Sequence, residues 1–140
     1  MRRALTLAVL LSACGGPEPA FVAAHVRIDA LLRDDVTALN VFALHPNRSD
    51  NFMLTCSTLL PRVIDPEDTR VNILARDDPA LTDPADRQAT LTNVEAGKNR
   101  IVYVAALNVG RELVGNGCKE WITVEEGKTV DVEVVVLPVL

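Results

Sequence analysis

The stretch Ile101-Val102-Tyr103-Val104-Ala105-Ala106-Leu107 decides the fold class. It is apolar on both parities, rich in β-branched residues, and bounded by the polar Arg100 and Asn108. Seven residues are too few for a typical buried helix, so the run reads as a strand covered on both faces and central in the core. Before it, Ala89-Thr90-Leu91-Thr92-Asn93-Val94-Glu95-Ala96-Gly97 is a strand running into a glycine turn. After it, Val109-Gly110-Arg111-Glu112-Leu113 suggests a turn, Cys118 to Val124 another strand, and Glu125-Glu126-Gly127-Lys128 a tight turn. A last strand from Thr129 to Leu137 then sets Val130, Val132, Val134 and Val136 on one face.

Toward the N-terminus the same period recurs. From Phe21 to Leu32, Val22, Ala24, Val26, Ile28 and Ala30 alternate with His25, Arg27 and Asp29, the pattern of a half-buried strand. Asp34-Asp35 makes a turn, and in the strand from Val36 to His45 Leu39, Val41 and Ala43 alternate with Asn40, Phe42 and Leu44; the two runs read as a hairpin. His45-Pro46-Asn47-Arg48-Ser49-Asp50-Asn51 is a polar loop. Phe52 to Leu60 fits a third strand or a short helix, Asp65-Pro66-Glu67-Asp68 a turn, Val71-Asn72-Ile73-Leu74 a strand, and Asp77 to Arg87 a long exposed connection. Seven or eight strands at about 10-residue spacing predict an all-β fold, a single antiparallel β-sandwich over residues 21–140.

Composition narrows the partners. The 140 residues are 49% apolar and 24% charged, which suits one globular domain and excludes a collagen, a coiled coil or a disordered tail. Lys plus Arg number 14 against 19 Asp plus Glu, with no basic cluster to release counterions from a polyphosphate. The scattered Phe21, Phe42, Phe52, Tyr103 and Trp121 form no stacking platform, so nucleic acid is not an expected partner.

Arg2 and Arg3 precede the apolar run from Ala4 to Leu11, which is too short to span a bilayer and has the layout of a secretory signal. Leu11-Ser12-Ala13-Cys14 resembles the lipobox of bacterial lipoproteins. That resemblance implies a leader of residues 1–13 that is removed, a diacylglycerol on the Cys14 thiol, and frequent acylation of the new amino group. At ~0.8 kcal/mol per buried methylene, two or three chains anchor stably where one does not. An ordinary thiol in a leader cut elsewhere is the rival reading of Cys14. Cleavage before Cys14 leaves 127 residues. Residues 14–20, with Gly15-Gly16-Pro17-Glu18-Pro19, then form a tether. Gly15 stands where some bacteria place the aspartate that retains a lipoprotein at the inner membrane, so the resemblance implies a lipid-anchored envelope protein delivered to the outer membrane.

Setting Cys14 aside leaves Cys56 and Cys118 in a chain sent to an oxidising compartment, and one disulfide is the simplest account. It would close a loop of about 60 residues, for which chain entropy gives roughly 4 kcal/mol. The alternative is a free or redox thiol, with Lys119 lowering the Cys118 pKa, although no CxxC spacing is present. His25 and His45 make no zinc-ligand pair with either cysteine.

The segments Thr90 to Gly97, Ile101 to Val104 and Val124 to Val132 are similar to the strand, Gly turn, strand pattern of prealbumin-like sandwich modules, among them carboxypeptidase regulatory-like and Cna-B-like domains. The similarity covers residues 89–137 and implies a Greek-key sandwich. The aromatic that usually follows the glycine is displaced to Tyr103, and no isopeptide-forming Lys, Asn and acidic trio can be matched, so no functional residue is carried over.

No nucleophile elbow, zinc-protease helix, phosphate loop or dinucleotide fingerprint is present, and His25 and His45 read as a surface and a loop histidine. The chain is therefore expected not to be an enzyme and to need no cofactor or metal. Asp34-Asp35, Asp77-Asp78 and the group Asp65, Glu67 and Asp68 offer carboxylates to calcium, but without the ligand spacing of a calcium loop they read as solvated charge. Gly115-Asn116-Gly117 reads as a turn presenting Cys118 or as close backbone approach to a ligand, and Trp121 as a cap on the outer sheet face or an anchor for a partner. The expected function is a non-catalytic, lipid-anchored envelope protein acting as an interaction or accessory module, with an envelope protein as partner. The alternative is a small-ligand or glycan binder at the cell surface.

Overall fold

The computed structural model describes residues 18–79 and 87–139. Within them lie β1 (Phe21–Ile28), β2 (Ala38–Leu44), α1 (Cys56–Leu59), β3 (Ile73–Asp77), β4 (Arg87–Leu91), β5 (Gly97–Leu107), β6 (Leu113–Val124) and β7 (Thr129–Pro138). The chain is thus all-β. Its strands join in one mixed sheet of order β3-β2-β5-β6-β7-β1-β4, curled until its two edges nearly meet. Across that gap the Thr90 N–H donates to Asp77 Oδ2 at 3.1 Å.

Alternation builds the interior. Val22, Ala24, Val26 and Ile28 of β1 lie level with Val130, Val132, Val134 and Val136 of β7. With Leu39 and Val41 of β2, Ala89 and Leu91 of β4, Val102 and Val104 of β5, and Ile122 and Val124 of β6 they form one buried cluster, against which Val130 packs partly buried. At one end the segment between β1 and β2 adds Leu32 and Val36 to that cluster, and at the other Ala20 and Val94 do so, the Val94 N–H donating to the Ala20 carbonyl at 3.0 Å.

Two expectations are corrected. The sheet is not wholly antiparallel, because β1 and β7 run parallel from Phe21↔Thr129 to Ile28↔Val136. Nor do the first two strands form a hairpin: β1 lies between β7 and β4, β2 between β3 and β5. The intervening segment buries Leu32 and Val36 in the core instead of reversing at Asp34-Asp35, and so carries the chain across the barrel's end. The link between β6 and β7 is narrow, with ladder pairs only at Gly115↔Pro138 and Asn116↔Leu137. The sheet therefore has a three-stranded part, β7-β1-β4, facing a four-stranded part, β3-β2-β5-β6, across the shared core.

Gly115 and Gly117 are strand residues of β6, not a turn, and their close neighbour is β7. A Cβ on Gly117 would lie 2.4 Å from the Val135 carbonyl oxygen, and one on Gly115 2.9 Å from that of Leu137. The expected tight turn is present, with the Lys128 N–H donating to the Glu125 carbonyl at 3.2 Å and Gly127 at φ 69°.

Candidate functional site on the outer wall

A strand that is apolar on both parities needs two covers. The barrel interior covers Val102, Val104 and Ala106, while Ile101, Tyr103 and Ala105 face outward with Phe42 and Leu44 of β2. Over this outer face passes the excursion of residues 45–72, which contributes Leu54, Leu59, Ile64 and Val71 to a second buried cluster. The Phe42 and Tyr103 rings sit 6.3 Å apart at its centre. The stretch expected as a strand or short helix is mostly loop with the single turn α1, in which Thr58 Oγ1 accepts from the Thr55 N–H at 3.2 Å.

Three residues of β6, spaced two apart and so on one face, hold this turn. The Asn116 amide nitrogen donates to the Leu60 carbonyl at 2.8 Å and to the Tyr103 hydroxyl oxygen at 3.1 Å. Cys118 is disulfide-bonded to Cys56, with Cα atoms 5.6 Å apart. Glu120 Oε2 accepts from the Cys56 N–H at 3.0 Å. The bridge expected from cysteine arithmetic is therefore formed, and the free-thiol alternative falls away. Burial of Tyr103 raises its pKa against the opposing effect of the Asn116 hydrogen bond.

Charge pairs finish the excursion. Arg48 Nε donates to Asp50 Oδ1 at 2.9 Å while its guanidinium lies over the Phe52 ring at 5.0 Å. This arginine holds Asp50 at a pKa of about 2. Arg70 pairs with Asp68 at 2.7 Å and pulls its carboxyl below the usual range. Arg76 reaches Glu67 at 2.8 Å and Asp78 at 3.1 Å, stacked 5.0 Å over Phe42. Of the carboxylates considered for calcium, those of the 65–68 group and Asp77-Asp78 are engaged locally: Asp65 accepts from the Glu67 N–H at 2.9 Å, and Asp77 from Thr90. Among the described residues no three His, Cys, Asp or Glu side chains converge as metal ligands.

The excursion leaves three depressions against the wall. One of about 300 Å³ is lined by Arg62, Glu67, Arg76, Tyr103 and Arg111. A larger one of about 750 Å³, bounded by Leu60, Leu113, Val135 and Leu137, is mainly apolar. The third, about 150 Å³, lies between Met53, Ile101 and Trp121.

The remaining sequence candidates do not converge. His25 on β1 faces Asp131 at 3.4 Å, whereas His45 Nδ1 accepts from the Asn47 N–H at 3.0 Å in its loop. Cys14 lies outside the described residues. Sequence reading missed the grip of Asn116 and Glu120 on the excursion, although their period-two spacing with Cys118 was a usable signal. It also missed that Arg100 is buried as a pin, donating to the Glu95 and Ala96 carbonyls at 3.1 and 2.8 Å. No family model, curated protein or solved structure matches the chain at a significant level.

Proposed function

We propose that this chain is a non-catalytic, lipid-anchored protein of the bacterial envelope, probed by its partners through the stapled outer face. Cys14 is its anchor, the outer membrane its destination, and an envelope protein its partner. The observation that carries the reading is the Cys56–Cys118 bridge. It suits an oxidising compartment and leaves Cys14, at the end of the lipobox, as the one cysteine outside a disulfide. The narrow β6–β7 link, with a three- and a four-stranded part across one core, supports describing the fold as a prealbumin-like sandwich.

Replacement of Cys14 by Ala tests the anchor: the protein should move from the membrane to the soluble fraction and lose incorporation of labelled fatty acid. A variant that stays membrane-bound refutes the lipoprotein reading. Cross-linking in intact cells, followed by detergent extraction and mass spectrometry, tests the partner; one protein recovered in near-stoichiometric amount is the expected result.

A second reading, small-ligand or glycan binding, is favoured by one observation. In the depression of about 300 Å³ the Arg62 and Arg76 guanidinium groups are paired with acids, but that of Arg111 has no partner among the described residues. An acidic sugar or other small anion that raises Tm in the parent and not in Arg111→Ala would support it.

A further inference from the structure

Trp121 is 68% exposed and sits at φ 62°, a left-handed conformation that is rare and costly for a bulky side chain. The strand register explains how it arises. Between Val102↔Lys119 and Arg100↔Ile122 β6 has one residue more than β5; between Arg100↔Ile122 and Gly97↔Val124 β5 has one more than β6. Two compensating bulges, with Asn99 at φ 60° on β5 and Trp121 on β6, thus leave the register beyond them unchanged. The bulge on β6 breaks the alternation and presents the indole on the outer surface, where Trp121 and Met53 line one depression. Met53 is 59% and its neighbour Phe52 46% exposed.

The position of this patch in the barrel is informative. Val124, three residues beyond Trp121, ends β6 at the turn to β7, and that turn meets the start of the described chain: the Phe21 N–H donates to the Lys128 carbonyl at 3.0 Å, and the Glu18 side chain lies against Gly127. Three strand residues span about 10 Å. The four-residue step from Cys14 to Glu18 covers at most about 14 Å. A lipid on Cys14 therefore holds this end of the barrel against the bilayer, while the exposed Leu31 and Val109 lie at the opposite end.

We propose that Phe52, Met53 and Trp121 form a bilayer-docking rim: the indole and its apolar neighbours enter the headgroup region beside the anchor and fix the barrel's orientation on the membrane. Tryptophan favours that interface because its apolar ring carries a polar N–H. The charges around it are mixed, with Arg48 over the Phe52 ring, Lys98, Lys119 and Lys128 against Glu18, Asp50, Glu120, Glu125 and Glu126, which suits a zwitterionic surface better than a strongly anionic one. This orientation rests on the lipid-anchor reading, but its test is independent of cellular lipidation.

With the disulfide intact, Cys14 is the one cysteine left to couple, and Trp121 is the chain's single tryptophan. The chain from Cys14 onward is coupled through that cysteine to a maleimide lipid in phosphatidylcholine vesicles, and Trp121 emission is read with and without lipid brominated near the headgroup. The expected result is a blue shift relative to the uncoupled protein and loss of more than about half the emission to the brominated lipid; Phe52→Ser with Met53→Ser should reduce both. Emission unchanged from solution, or a blue shift without quenching, as a contact between protein copies would give, overturns the docking proposal. Neither outcome bears on whether cells lipidate Cys14, which the Cys14→Ala fractionation decides.

Discussion

The barrel interior and the cluster beneath the excursion are both apolar and both closed to water, but they are assembled in opposite ways. Inside, residues of modest size such as Val22, Val104 and Val134 recur on every second position of six of the seven strands, and each strand's contribution is supported by its neighbours. Outside, one segment with four helical residues must cover Phe42, Leu44, Ile101 and Tyr103. Without a ladder to repeat, it is fixed by a disulfide, two side-chain hydrogen-bond grips and arginine–carboxylate pairs. Repetition stabilises the first region and point attachments the second.

The largest test removes the strongest attachment. Cys56→Ser with Cys118→Ser opens a loop with sequence separation 62 and should cost about 4 kcal/mol on the chain-entropy model. For a domain of this size that lowers Tm by roughly 10–20 °C, measurable by calorimetry. Hydrogen exchange should show residues 45–72 losing protection before β1 and β7. A Tm change of about a degree, with protection intact, would mean that side-chain packing alone holds the excursion.

Next come two leucines that share full burial and differ only in region. Leu91 in β4 and Leu59 in α1 are each 0% exposed, so replacement by Ala should cost about 3 kcal/mol at either site. Leu91→Ala should lower protection throughout the barrel, because its cavity opens in the shared core. Leu59→Ala should show its loss chiefly in the excursion, as local opening while the disulfide stays closed. Equal global effects would show that the two clusters unfold as one unit.

A smaller effect probes how little slack the barrel has. Gly117→Ala drives a Cβ into the β7 backbone at the narrow β6–β7 link and should cost about 1–3 kcal/mol. Gly110→Ala, in the turn before β6, meets nothing nearer than Asn108 Oδ1 at 3.4 Å and should stay within about 0.5 kcal/mol of the parent by urea titration.

The same contrast explains what could be read in advance. Alternation assigns a residue to a face and says nothing of which strand lies beside it. Val22 to Ile28 and Val130 to Val136 were therefore legible as strand faces, whereas their parallel pairing was not, and a turn-forming Asp34-Asp35 suggested a hairpin where the chain crosses the barrel's end. The apolar run from Ile101 to Leu107 announced two covers but not that the second is an excursion from elsewhere in the chain. Cys56 and Cys118 were legible because cysteines pair by number in an oxidised chain. The period-two spacing of Asn116 and Glu120 with Cys118 marked them as sharing its face, but the main-chain groups they grip, at Leu60 and Cys56, carry no sequence signal of their own. Trp121 was placed on the right element but on an assumed regular pleat, and the compensating bulges at residues 99 and 121 depend on a register that one strand alone cannot reveal.

The smallest expected effect is acid sensitivity, and it should separate the regions by whether the groups that hold them titrate. Arg48 holds Asp50 at about 2, below its ordinary 3.8, and Arg70 lowers Asp68 likewise. A carboxyl whose pKa is lower folded than unfolded stabilises the fold above the unfolded value and loses that contribution as pH falls through the folded one. Between about pH 4 and pH 2 the excursion should therefore loosen while the valines and leucines of the barrel, having no proton to gain, keep their packing. Asp50 and Arg70 are exposed, so the change is modest and should shrink further in high salt. Hydrogen exchange across this range should show amides of residues 45–72 exchanging faster before those of β1 and β7, and Arg48→Met should shift the onset of that loosening upward in pH. Earlier loss in β1 and β7 would mean that the charges on the barrel's own outer face, where Arg27 meets Glu133 at 3.1 Å, govern acid stability instead.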